Sequence, residues 1–149
     1  MRSAPPVVNR RIRAAMRTSR SRVDGNGPAK GGKILVVEQD HVTRETFAMM
    51  LKHYGYDVTV ASDGREATRL LSQVTPDLVV MDWRTSGLSG LSLCLALRRR
   101  WPMIPIVVVT SSDEVCDDDQ PANAWLQKPI DPSLLNQVIH NELAPVRSA

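Results

Sequence analysis

Four short apolar runs in this chain each lead into polar groups. Lys33-Ile-Leu-Val-Val37 runs into Glu38, Gln39 and Asp40, and Asp77-Leu-Val-Val-Met81 runs into Asp82. Ile104 to Val109 is followed by Thr110 and Ser111, and Ala124 to Gln127 by Lys128 and Pro129. Two or three carboxylates beside a lysine and a hydroxyl suit a phosphoryl group handled with a divalent cation. The carboxylates hold the metal and one of them is the nucleophile, while lysine and threonine neutralise phosphoryl oxygens. That chemistry requires the four run ends to meet.

The runs have strand length and are continuously apolar, as expected of strands covered on both faces. After the first come Val42 and then Phe47, Met50, Leu51 and Tyr54, the last four at three- and four-residue steps up to Gly55, the pattern of an amphipathic helix with a glycine stop. Asp57 to Ala61 alternates as a strand, and Ala67, Leu70 and Leu71 mark a second helix. Gly90 to Arg100 reads as a third, with Arg98, Arg99 and Arg100 favourably placed at its C-terminus. Asp131 to Leu143 reads as the last, with Asp131 as N-cap and Pro132 at its first position. Strands alternating with helices predict an α/β, doubly wound parallel sheet with helices on both faces. In such a sheet the site lies outside the carboxyl ends of the strands, near the switch in strand order.

The length of 149 residues suits one ordinary domain, and 42% hydrophobic residues suffice for one core. No apolar run approaches the roughly 18 residues of a spanning helix, so no membrane span is expected. Residues 1–32 carry eight basic residues against Asp24 alone, +7, and the remainder of the chain carries −4. The basic pI of 9.2 therefore describes a tail on an acidic domain. Residues 1–32, rich in Arg, Ser, Pro and Gly, read as a flexible basic arm, either a solvated extension or a contact with an anionic surface. Cys94 and Cys116 make neither a disulfide framework nor a zinc set, and no apolar signal region is present. A cytoplasmic location follows as the expectation, and nucleic acid is not an expected partner.

The stretch from Lys33 to Leu143 resembles the receiver domain of bacterial two-component response regulators. The matching text is Ile34-Leu-Val-Val-Glu-Gln-Asp40, Ala61-Ser-Asp-Gly-Arg-Glu-Ala67, Pro76-Asp-Leu-Val-Val-Met-Asp82, Gly87-Leu-Ser-Gly90, Pro105-Ile-Val-Val-Val-Thr110 and Lys128-Pro129. Any one of these is weak, but their order and spacing together are specific. The resemblance implies a flavodoxin-like sheet of five parallel strands in the order 2-1-3-4-5. It implies that Asp82 is the phosphoacceptor, that Thr110 is the switch hydroxyl and that Lys128 pairs with the phosphoryl group. It further implies a Lys128-Pro129 peptide often found cis, and a Mg²⁺ ion held by Glu38, Asp82 and the backbone carbonyl of Arg84, with Gln39 as a poorer fourth contributor. Trp125 falls where the family places an aromatic that swings with the threonine, or else is an ordinary core tryptophan. The implied partners are a sensor histidine kinase or phosphotransfer protein upstream and a protein partner downstream. A receiver of this kind is a phosphoacceptor rather than a conventional enzyme.

Some positions depart from the family pattern. Gln39 stands where a second carboxylate is usual, which predicts weakened Mg²⁺ binding. Asp40 is a possible substitute, although its position points away from the cation in the family. Arg84 either meets the phosphoryl group with a charge-assisted bond or points into solvent, and Ser86 replaces a usual proline. Between Thr110 and Lys128, Asp117-Asp118-Asp119 and Pro121 make a poor helix interior, so the fourth helix of a receiver is expected to be short or absent. Residues 144–149 form a short tail with no room for an output domain, which predicts a stand-alone receiver over 33–143. The rival expectation is a pseudo-receiver, the same fold used as a phosphorylation-independent interaction module.

Overall fold

The computed structural model describes residues 31–84, 90–111 and 122–143. Five parallel strands run as β1 (Lys33–Val37), β2 (Asp57–Ala61), β3 (Leu78–Asp82), β4 (Ile106–Thr110) and β5 (Ala124–Gln127). Their order in the sheet is β2-β1-β3-β4-β5, the expected doubly wound arrangement. Four helices connect or follow them: α1 (His41–His53), α2 (Gly64–Leu71), α3 (Gly90–Arg100) and α4 (Pro132–Leu143). The basic arm up to residue 30, Ser86 and Gly87, the segment 112–121 with Cys116 where a short or absent helix was expected, and the tail 144–149 lie outside the described residues.

Alternation along the central strands sorts the core into two layers. Ile34, Val36, Leu78, Val80, Val107, Val109 and Leu126 face Phe47 and Leu51 of α1 and Leu135, Val138 and Ile139 of α4. Leu35, Val37, Val79, Met81, Ile106, Val108 and Trp125 face Ala67 and Leu71 of α2 and Leu93, Cys94 and Leu97 of α3. Because both faces are covered, β1, β3 and β4 read as unbroken apolar runs. The edge strand β2 is only partly buried.

Helix starts are set by short polar groups. Asp40 caps α1, its carboxylate accepting the Thr43 N–H at 2.9 Å and the Thr43 hydroxyl at 2.7 Å. Asp63 caps α2 by accepting the Glu66 N–H at 2.8 Å, while Glu66 accepts from the Ser62 N–H at 2.8 Å and hydroxyl at 2.6 Å. Asp131 does the same for α4 through the Ser133 N–H at 2.9 Å. Gly55 ends the α1 turn at φ 93°, where a side chain would be strained.

The structure corrects the reading of the first helix. Val42, read as part of the apolar series, is 71% exposed, because it stands five residues before Phe47 and so about 140° round the helix from the face on which Phe47, Ala48 and Leu51 point inward. Two strand starts also move. Asp77 stays outside β3 and accepts the Lys33 N–H at 2.8 Å. Ile104 is spent on closing the turn after α3, its N–H donating to the Trp101 carbonyl at 3.2 Å, so β4 begins at Ile106.

Candidate functional site

The switch in strand order lies at β1, which pairs with β2 on one side and β3 on the other. Val37 pairs with Met81, so Glu38 and Asp82 follow side by side at the carboxyl ends of these strands. Asp82 is level with Val109 on β4, and Thr110 is level with Gln127 on β5. Lys128 comes next on that strand, its N–H donating to the Thr110 carbonyl at 2.8 Å. The peptide from Lys128 to Pro129 is cis.

This geometry gathers three of the sequence-predicted side chains at one point. The Lys128 ammonium lies 3.0 Å from Glu38 Oε2 and 2.8 Å from Asp82 Oδ2. Glu38 is only 2% exposed, and its other oxygen accepts the Asp40 N–H at 3.2 Å. Asp82 Oδ1 accepts the Arg84 N–H at 2.9 Å, while the Arg84 side chain is exposed. Thr110 is buried at the end of β4. Asp40, engaged with Thr43, serves helix α1.

Electrostatics follow from this packing. Burial pushes the Glu38 carboxyl above its ordinary range, the neighbouring Asp82 charge adds to that push, and the Lys128 hydrogen bond opposes it. Burial pushes Asp82 upward too, but the Lys128 ammonium and the Arg84 N–H outweigh it and hold the carboxyl below its ordinary range. Burial alone would lower the Lys128 ammonium, and its two carboxylate partners keep it raised and charged. Two carboxylates thus share one built-in cation, leaving an excess of hard, anionic oxygen. That donor set fits a hard divalent cation, which commonly takes one or two carboxylates with water and phosphate completing the shell. Glu38, Asp82, the Arg84 carbonyl and the Gln39 amide oxygen are the groups available to hold it. Among the described residues no three His, Cys, Asp or Glu side chains gather as a protein-only metal cage.

Trp125 is buried on the α2–α3 face, and its ring lies 4.5 Å from that of Trp83, tilted by 55°. Its indole N–H is buried without a hydrogen-bond partner among the described residues. Trp83 follows Asp82 directly, so the Trp125 ring is one contact away from the acidic site. Two groups at the site escape a reading by residue type and spacing. Trp83 gives no signal until β5 is laid beside β4. Arg44, on α1, donates to the carbonyls of Glu38 at 3.1 Å and Gln39 at 3.3 Å, and only its place one turn after the cap hints at this.

Fold and site define a doubly wound α/β domain with a carboxylate–lysine crevice at its topological switch point. The response regulator receiver domain family is matched across residues 34–140, and the chain belongs to that family. It is 40% identical over 101 residues to response regulator MprA of Mycolicibacterium vanbaalenii, covering 65% of this chain and 44% of that protein. It is 35% identical over 108 residues to the alkaline phosphatase synthesis transcriptional regulatory protein PhoP of Bacillus subtilis, covering 70% of this chain and 45% of that one. The chain thus spans less than half the length of both curated relatives. Among solved structures it is similar to the receiver domain of a sensor histidine kinase from Pseudomonas aeruginosa, described with a magnesium ion in its active site cleft. The match has 27% identity and a TM-score of 0.70, over 77% of this chain and 99% of that one. The protein therefore carries a signalling domain of two-component systems, a class distinct from conventional enzymes. Among the described residues no helix is long and apolar enough to cross a membrane. The expectation against nucleic acid gains no support, since PhoP is by name a transcriptional regulator.

Proposed function

We propose that Asp82 accepts a phosphoryl group from the histidine of a sensor kinase or phosphotransfer protein, and that the modified domain signals through a downstream protein partner. The observation that carries this reading is the Lys128 ammonium held between Glu38 and Asp82 at 3.0 and 2.8 Å. A carboxylate oxygen of Asp82 attacks phosphorus, the phosphorus–nitrogen bond to the donor histidine breaks, and an aspartyl phosphate forms. Asp82 enters ionised, because its carboxyl is held below the ordinary range. Lys128 stays charged and is placed to pair with a phosphoryl oxygen, and Thr110 at the end of β4 supplies the hydroxyl that follows the modification. A bound Mg²⁺ supplies charge neutralisation of the phosphoryl oxygens. Glu38, Asp82 and the Arg84 carbonyl would hold it, and Gln39 offers a neutral oxygen where a carboxylate would add charge, so binding is weaker than with two acidic neighbours. The receiver in the P. aeruginosa kinase, with its magnesium, supports a cation at this cleft.

The neutral Gln39 also favours a second reading, a pseudo-receiver that binds its partner without phosphorylation. Intact-mass analysis after incubation with a small phosphodonor and Mg²⁺, beside Asp82→Ala, separates the two. A phosphoryl adduct on the wild type alone supports phosphoacceptance. A folded protein that stays unmodified, also with a histidine-phosphorylated donor protein, would sink it in favour of the pseudo-receiver.

A further inference from the structure

We infer that Arg44 is a positioning residue for the cation and phosphoryl site, acting through the backbone of the β1–α1 turn. The inference rests on the reading that Glu38 and Gln39 face a divalent cation. The β1 ladder ends at Val37, so from Glu38 onward the chain leaves the sheet before α1 begins at His41. Arg44 reaches back across that turn, and one nitrogen of its guanidinium donates to the carbonyls of both Glu38 (3.1 Å) and Gln39 (3.3 Å). Two consecutive carbonyls held by one charged, planar group fix two consecutive peptide planes, and these planes set the direction in which the Glu38 and Gln39 side chains leave the backbone.

The Arg44 backbone is itself anchored, its N–H donating to the Asp40 carbonyl at 2.9 Å in the first turn of α1. The turn is thus clamped from the helix side by Arg44 and from within by the Asp40 N–H on Glu38 Oε1 at 3.2 Å. Orientation matters more at Gln39 than at a carboxylate. An amide has one oxygen to offer, and its NH₂ end repels a cation, so a misdirected Gln39 loses its contribution. The guanidinium donates to the backbone carbonyls of these two residues, so it serves the site through the direction of their side chains.

The two ways Arg44 could influence Mg²⁺ have opposite signs. Loss of a positive charge near the site would tighten cation binding, whereas loss of the clamp would weaken it. The test is a Mg²⁺ titration of the full 149-residue chain, read by the change in tryptophan fluorescence, to which Trp83 next to Asp82 contributes, with thermal unfolding measured in parallel without Mg²⁺. Arg44→Met is expected to weaken apparent Mg²⁺ affinity about 10-fold or more, the scale on which outer-shell partners act. Arg44→Lys, which keeps a charged donor of shorter reach, is expected to recover part of that loss. Should Arg44→Met fail to fold, Arg44→Gln, an uncharged donor, replaces it with the same expected direction. Unchanged or tighter Mg²⁺ binding in these variants, whatever their unfolding temperature, overturns the inference and leaves Arg44 a helix-stabilising residue. A wild-type chain with no saturable Mg²⁺ response overturns the reading of the site itself, and this inference with it.

Discussion

Lys128 sits between two carboxylates, one of them almost wholly removed from water; the ammonium favours their charged forms and they keep it charged, while the two carboxylates repel each other. Removing the ammonium leaves Glu38 with a buried, poorly compensated charge. Lys128→Met is therefore expected to lose about 1–3 kcal/mol of stability, measured by urea unfolding near neutral pH. At Gln39 the expected change is in the opposite sense. Gln39→Asp adds an anionic oxygen to the donor set, and Mg²⁺ should bind several-fold more tightly in the same fluorescence titration. An unchanged affinity would mean that residue 39 does not reach the cation. Cys94 presents a different case, since burial pushes its thiol up to about 11 and its sulfur lies 3.5 Å from that of Met81. It is expected to resist alkylation in the native protein and to react only on unfolding, as peptide mapping of the modified chain would show.

The turns around the site depend on caps and close approaches that tolerate little change. The Asp63 carboxylate starts α2, and Asp63→Ala should cost about 1 kcal/mol. Glu66 completes the same turn, and hydrogen bonds from Ser62 hold its carboxyl below its ordinary value of 4.5. A carboxyl whose pKa is lower folded than unfolded stabilises the fold above the unfolded value and loses that contribution as pH falls through the folded one. Melting temperature measured from pH ~6 downward should therefore fall less steeply in Glu66→Gln than in the wild type. At the start of α3, a Cβ on Gly90 would lie 2.4 Å from the Trp83 carbonyl and 2.6 Å from its ring. Gly90→Ala must push the Trp83 segment aside, which should destabilise by about 1–3 kcal/mol and change the tryptophan fluorescence. An unaltered spectrum with wild-type stability would show that the contact yields at no cost.

Across the molecule, stability resides in the two apolar layers on either side of one sheet. Leu51 is fully buried against the α1–α4 face, and Leu51→Ala should cost about 2–5 kcal/mol in urea unfolding. Met49, on the same helix and 71% exposed, should change stability by less than about 0.5 kcal/mol when replaced by Ser. Strands β1, β3 and β4 were legible in the chain because the sheet is buried on both sides there, so each is an uninterrupted apolar word bounded by polar text, and the half-covered edge strand β2 was legible by its alternation. The four run ends, Glu38, Asp82, Thr110 and Lys128, were legible for the same reason, and the parallel topology decides that all of them lie at one edge. Local chemistry also determined the glycine stop at Gly55 and the cap at Asp131, since both act within a few residues. What the sequence leaves open is whatever depends on contacts across the sheet or on helix phase. Val42 shows that apolar type alone does not place a residue in the core, since it stands five residues before Phe47, about 140° round the helix, and faces solvent. Lys128 bridges partners 90 and 46 residues away, Trp83 meets the Trp125 ring of β5 at a tilt, and Arg44 clamps the turn behind it. Distances of this kind arise only when the chain has closed on itself, since hydrogen bonds and ring contacts act over a few ångströms of space and carry no signature in residue spacing.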